Sequence, residues 1–202
     1  MKLTHLIAFL TLTMAVYAAP QSFDFKDPKG VNNAVFKLDA PLESINGSAN
    51  GISGSVSFDA ENPSATTGKI TVTTASLTVP NPMMNGHLHG EKWLDAAKFP
   101  EITFEAKSLA NVKTEGNTTT ADVTGTFTLH GVSKEITTPI TLTYLKDKLA
   151  ARVQGQKGDL LVIRANFKIN REDFDIAKGQ YEDKVSTTID LSLSIAGAAV
   201  AK

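Results

Sequence analysis

Polar and apolar residues alternate with period two along most of the chain, in stretches rich in Thr, Val, Ile and Phe. Such alternation predicts strands with one buried and one wetted face. In "GKITVTTASLTV", Ile70 and Val72 share a face while Lys69, Thr71 and Thr73 point the other way. "EITFEAKSL" sets Ile102, Phe104 and Ala106 against Thr103, Glu105 and Lys107. "KVSTTIDLSLSIAG" places Val185, Thr187, Ile189, Leu191, Leu193 and Ile195 on one side. Further candidates are "SFDF", "NAVFKLDA", "GISGSVSFDA", "TADVTGTFTLHG", "EITTPITLTYL" and "LLVIRANFKIN", separated by turn-rich pieces such as "ENPSATTG" and "KTEGN". The expected fold is all-β and largely antiparallel, with about eight or nine strands.

Several of these strands are about ten residues long, and a sheet of many long strands must hide its edges. Closure into a barrel of about eight strands does so, and such a barrel is just wide enough to be filled by side chains or to hold one small ligand. Small residues fall among the bulky ones: Gly54, Thr74, Ser76, Ala106, Ser108, Gly125, Ala165 and Thr187. They either leave room inside or relieve crowding at tapers and bulges, and Gly125, midway through its strand, reads as a bulge.

The remaining composition narrows the setting. The chain opens with a lysine, an apolar run from Leu6 to Val16 and then small residues, which is the layout of a secretory signal peptide over residues 1–18. Residues 19–202 are then a single exported domain. No other run approaches the roughly 20 residues that span a bilayer. There is no cysteine, so disulfides and thiol chemistry are excluded. With 20 basic and 21 acidic side chains, the balance gives no electrostatic footprint for nucleic acid or anionic lipid.

One stretch breaks the strand pattern: "NGHLHGEKWLDAAKFP", residues 85–100, with two histidines and the only tryptophan. His87 and His89 are two apart, so on a helix they point about 200° apart and cannot share an ion, and the flanking Gly86 and Gly90 disfavour a strand. No third ligand has suitable spacing, since His130 sits in the turn "LHGVSK". No nucleophile, zinc or phosphate-loop motif occurs anywhere, and no enzyme is expected. The connector that contains it reads instead as a short helical plug between two strands, carrying Met83, Met84, Leu88, Trp93, Leu94 and Phe99, with Asp95 capping the turn "AAK" and Pro100 ending it. It covers a barrel mouth or seals a filled core.

"HLHGEKWLDAAKFPEITFEAKSL", "GTFTLHGVSKEITTPITL", "FKINREDFDI", "KVSTTIDLSL" and "SGSVSFDAENPSA" together resemble segments of the YceI-like family, in the same order and over nearly the whole mature chain. The resemblance matches His87, Leu88, Trp93 or Leu94, Asp95, Phe99, Pro100 and Phe104 to one family segment, and His130, Gly131, Arg171 and Phe174 to two others. It implies an extended lipocalin-like antiparallel barrel, exported to the periplasm, or secreted where there is no outer membrane. It also implies a polyisoprenoid, quinone-like or fatty-acid-like chain in the interior, with no catalytic residues. The chain departs from the family at Asp175, where glycine is usual, and at "GQYEDKV", where bulky Tyr181 replaces a small residue.

The expected function is therefore sequestration or transport of an apolar or amphiphilic ligand, with no cofactor and no metal. Ten buried methylenes alone would contribute about 8 kcal/mol gross. Candidate lining residues are Phe58, Val72, Trp93, Phe104, Phe127, Leu142, Ile163, Phe167, Ile189 and Leu191, each of which could equally be plain core. Arg164 and Arg171 flank one strand and are candidates to meet a polar head group. The alternative is a non-catalytic stress-protection or interaction protein with a filled barrel. A homodimer is left open.

Overall fold

The computed structural model describes residues 20–201, so the expected signal segment and its cut lie outside the described residues. Strands β1 (Gln21–Asp24), β2 (Asn33–Asp39), β3 (Ser44–Ala49), β4 (Ile52–Phe58), β5 (Thr67–Thr73) and β6 (Leu77–Thr78) precede helix α1 (Pro82–His89). The long strands β7 (Glu101–Glu115), β8 (Thr118–Leu129) and β9 (Val132–Leu145) follow. A short helix α2 (Leu149–Arg152) then leads to β10 (Gly158–Asn170) and β11 (Thr188–Val200).

All pairings are antiparallel. The order β1-β4-β5-β7-β8-β9-β10-β11 closes on itself where β1 meets β11, giving an eight-stranded barrel. Closure removes the free edges that strands of this length would otherwise expose. β2, β3 and β6 extend the wall from the other end of β11, where Phe36 faces Leu191. The alternation read from the sequence is visible in β8, whose odd-numbered residues from Ala121 to Leu129 are buried between half-buried neighbours.

Two junctions show how side chains replace missing ladder bonds. At the closing seam β1 and β11 share one register pair, Asp24 with Ala198. There the buried amide of Asn32 donates to the carbonyls of Phe25 (3.0 Å) and Ala196 (3.1 Å) and accepts from the Ala196 N–H (2.9 Å). The second junction is between β9 and β10, which pair only over Ile140–Leu145 and part at Pro139, a residue with no N–H to give. Above the parting Phe127 packs edge-on against Phe167 and Phe174, at 6.1 and 5.5 Å between ring centres.

The bulge expected at Gly125 lies instead on the facing strand, between Ala106 and Ser108 of β7. Gly125 is small for another reason. A Cβ there would stand 2.5 Å from the Glu105 carbonyl oxygen and 2.5 Å from the Phe104 ring, so the missing side chain leaves room for that ring. The "HG" pair of the β8–β9 hairpin, His130 and Gly131, has positive φ at both positions, 52° and 75°, the geometry of a tight turn whose twist matches its strands. His130 Nδ1 then reaches the Phe174 carbonyl at 3.1 Å, tying this hairpin to the turn after β10.

Candidate functional site

The two ends of the barrel are closed differently. At one end Phe23, Phe25, Phe58, Leu161 and Ile195 are buried together. Phe23 stands edge-on to Phe58 (6.4 Å) and Tyr144 (6.3 Å), which makes a solid aromatic floor. Tyr144 donates its hydroxyl to Asp159 at 2.7 Å, and Asp159 also accepts the Asp147 N–H at 2.7 Å. Burial raises the Tyr144 pKa, and the Asp159 carboxylate beside it pushes it further, to about 12. Beside the floor, Arg152 pairs with the nearly buried Asp27 at 2.9 Å and donates to Asn32 at 3.0 Å. Burial opposes ionisation of Asp27, but the N–H groups of Asn32, Lys29 and Val31 and the charge of Arg152 outweigh it and hold its pKa below the usual value.

The other end is covered by the connector between β6 and β7. Here the helix lies earlier than the sequence pattern suggested. Asn81 caps it by accepting the Met83 N–H at 3.0 Å, and Pro82 occupies the first helical position. Asp95 caps no helix; its φ is +43° and its carbonyl closes a turn by accepting the Lys98 and Phe99 N–H groups. The connector is pinned to β6: His89 Nε2 bonds the Leu77 carbonyl at 2.8 Å, and the Asn85 side chain bonds both the N–H and the carbonyl of Val79. No cluster of three potential metal ligands occurs among the described residues.

Between floor and cover lies a cavity of about 650 Å³. Its wall is apolar, and its physical signature is that inward-facing Val72, Phe104, Phe167, Ile189 and Leu191 remain only half-buried inside the barrel. The interior is hollow, not filled as the alternative of a solid barrel required. Of the ten residues named from the sequence, Val72, Trp93, Phe104, Phe127, Leu142, Ile163, Phe167, Ile189 and Leu191 line this cavity. Phe58 does not. It faces inward as its alternation demands, but at the level of the floor, among Phe23, Tyr144 and Val56.

Arg164 does not line the cavity, and Arg171, which does, has every donor engaged. Arg164 is exposed and bonds Ser194 on the outer face. Arg171 is 1% exposed and directs its five donors to five backbone carbonyls: Nε to Ser186, Nη1 to Ile176 and Ala177, Nη2 to Gln180 and Val185. It thereby moulds the 176–186 loop, with its guanidinium 5.9 Å from the Trp93 ring. Asp175, where the resemblance leads one to expect glycine, sits in the left-handed region at φ +56°, the conformation glycine adopts freely. Tyr181, the other departure, stacks obliquely on Trp93 at 5.8 Å and helps frame the mouth.

The alternation pattern held no sign of Glu43, Lys92, Tyr181 and Lys184 as a group. They reach the mouth from three separate connections and share no periodicity. Their meeting is a product of the loop that Arg171 holds and of the β2–β3 turn, which is tied to it by the Leu42 N–H donating to the Asp183 carbonyl at 2.9 Å.

Comparison with known proteins places this geometry in context. A family model described as the YceI-like domain matches residues 26–196. Protein YceI of Salmonella arizonae is 32% identical over 149 residues, 71% of this chain and 69% of that protein. The crystal structure of a Campylobacter jejuni YCEI protein is similar at 27% identity, with a TM-score of 0.60 over 77% of this chain and 84% of that one. A polyisoprenoid binding domain from Saccharophagus degradans, implicated in plant cell wall breakdown, shares the fold at 13% identity, with a TM-score of 0.64 over 89% of this chain and 99% of that one.

Proposed function

The chain belongs to the YceI-like family, and from that premise we propose that it is a non-catalytic carrier, exported to the periplasm, that holds one long apolar or amphiphilic chain inside its barrel. The observation that carries this reading is the hollow with half-buried inward side chains, which a filled core would not leave. The Saccharophagus degradans domain that shares this fold is a polyisoprenoid binding domain, and a similar chain is the ligand class favoured here.

The size of the hollow bounds the guest. A methylene takes up about the space of a water molecule, whose share of the liquid is about 30 Å³, so 650 Å³ holds on the order of 20 carbon atoms. At about 0.8 kcal/mol per methylene, such a tail contributes on the order of 16 kcal/mol gross, against roughly 4–15 kcal/mol for lost freedom. Apolar burial is therefore sufficient for retention, and no metal or covalent link is invoked.

Trp93 is the only tryptophan and lines the cavity, so its fluorescence reports occupancy. Solvent extraction of the purified protein should yield one apolar species near unit stoichiometry by mass spectrometry. The stripped protein should regain a Trp93 fluorescence change on titration with such a chain. A protein that neither yields nor takes up any apolar chain would overturn the proposal.

A further inference from the structure

The wall of the cavity is apolar along its length, but at the mouth it gathers two lysines. Lys92, Lys184 and Tyr181 all line it there. Lys92 Nζ donates to the Tyr181 hydroxyl at 3.1 Å and stands 5.7 Å from the centre of that ring, while the Lys184 N–H donates to the Tyr181 carbonyl at 3.0 Å. The tyrosine thus holds the Lys92 ammonium directly, and the backbone turn it forms with Lys184 brings that residue to the same cavity lining. Among the described residues five ion pairs occur, and neither Lys92 nor Lys184 belongs to one. Glu43 is the one acid that lines the cavity, and it too lies beyond 4.0 Å from either ammonium. Arg171, the remaining cation in the lining, has no donor left to give.

We infer that the guest is an acidic amphiphile: a single chain of about 20 carbons whose phosphate or carboxylate head rests at the mouth between Lys92 and Lys184. The inference rests on the carrier reading and adds the chemistry of the head. An anion at this point accepts charge-assisted hydrogen bonds from two lysines that have no other acid partner, and its tail points down the apolar wall. A neutral head accepts a hydrogen bond from an ammonium but lacks the charge–charge attraction, so it gains less. The rim is open to water, so the head keeps part of its hydration and the desolvation cost that penalises buried ions is small.

Stripped protein should be titrated, with Trp93 fluorescence as the readout, against a prenyl monophosphate, the matching prenyl alcohol and a fatty acid of the same carbon number. Both acidic ligands are expected to bind about tenfold tighter than the alcohol at low salt, with the gap narrowing as salt rises. In the double variant Lys92→Gln, Lys184→Gln the gap between acid and alcohol should close. Because both side chains are exposed, an unchanged thermal melt checks that the variant is folded. The ranking of phosphate against carboxylate identifies which acid the rim prefers. Equal binding of acid and alcohol, or a gap that survives in the variant, overturns the head-group assignment and leaves the carrier reading standing. Failure of all three ligands to bind removes both.

Discussion

At the floor of the barrel Phe23, Phe25 and Leu161 have no exposure at all, whereas around the mouth Leu42, Met83 and Tyr181 are 68, 79 and 42% exposed. The floor interlocks aromatic rings edge to face and backs them with a buried amide, an ion pair and a tyrosine–aspartate bond. The mouth is made of loops and one short helix pinned at its ends, with Met83, Lys92 and Lys184 exposed to solvent. The difference is one of division of labour. Dense apolar contact supplies stability where nothing has to pass, and sparse contact lies where the proposed guest would enter, since segments that open belong to the low-stability end of a structure.

The sharpest way to break that comparison is to delete one large side chain from each end. Phe25→Ala should cost about 3–5 kcal/mol in urea unfolding, because the ring is fully enclosed and packs against the space left by Gly197. Trp93→Ala, half-buried beside an existing cavity, should cost less and show itself as faster release of a bound chain. Equal losses at both sites would mean that the two ends are not specialised.

Acid should act next, and at the floor. Asp27 and Asp159 both hold pKa values below the ordinary carboxylate value of 3.8 despite burial, through N–H donors, Arg152 in one case and the Tyr144 hydroxyl in the other. Groups with depressed folded pKa values add stability above the unfolded value and lose it as the pH falls through the folded value. The midpoint of unfolding should therefore drop below about pH 4, and Asp27→Asn should flatten that limb while lowering stability at neutral pH. A variant with the same acid limb as the parent would refute this.

The smallest effect should come from Tyr144→Phe, which keeps the ring packed and removes one hydrogen bond, a loss of about 1 kcal/mol at neutral pH. Because the folded tyrosine titrates at about 12 rather than 10, its contribution is complete below pH 10 and disappears as the pH rises toward 12. The variant should lack that alkaline component in pH-dependent melts.

Much of this architecture is legible in the sequence because the barrel wall is built from a local rule. Alternation tells which side of a strand faces inward, and so Val72, Phe127 and Leu191 could be assigned to the interior. It does not tell how far along the axis a residue sits, which is why Phe58 is inward yet below the hollow. The helix over 82–89 carried its signal in the Asn81-Pro82 start, but Gly86 and the two histidines obscured its body. Arg171 had no local signal at all: its carbonyl partners lie 5 to 15 residues away on a loop without regular structure.

The solid floor makes the tube blind. On the carrier reading proposed above, a cargo has one doorway among the described residues, so it goes in hydrocarbon foremost and comes out the same way in reverse. Any membrane or protein that supplies the cargo, and any that takes it away, must face the same threshold framed by Trp93 and Tyr181. Donor and recipient therefore take turns at it, and a complex with one excludes transfer to the other until it has dissociated.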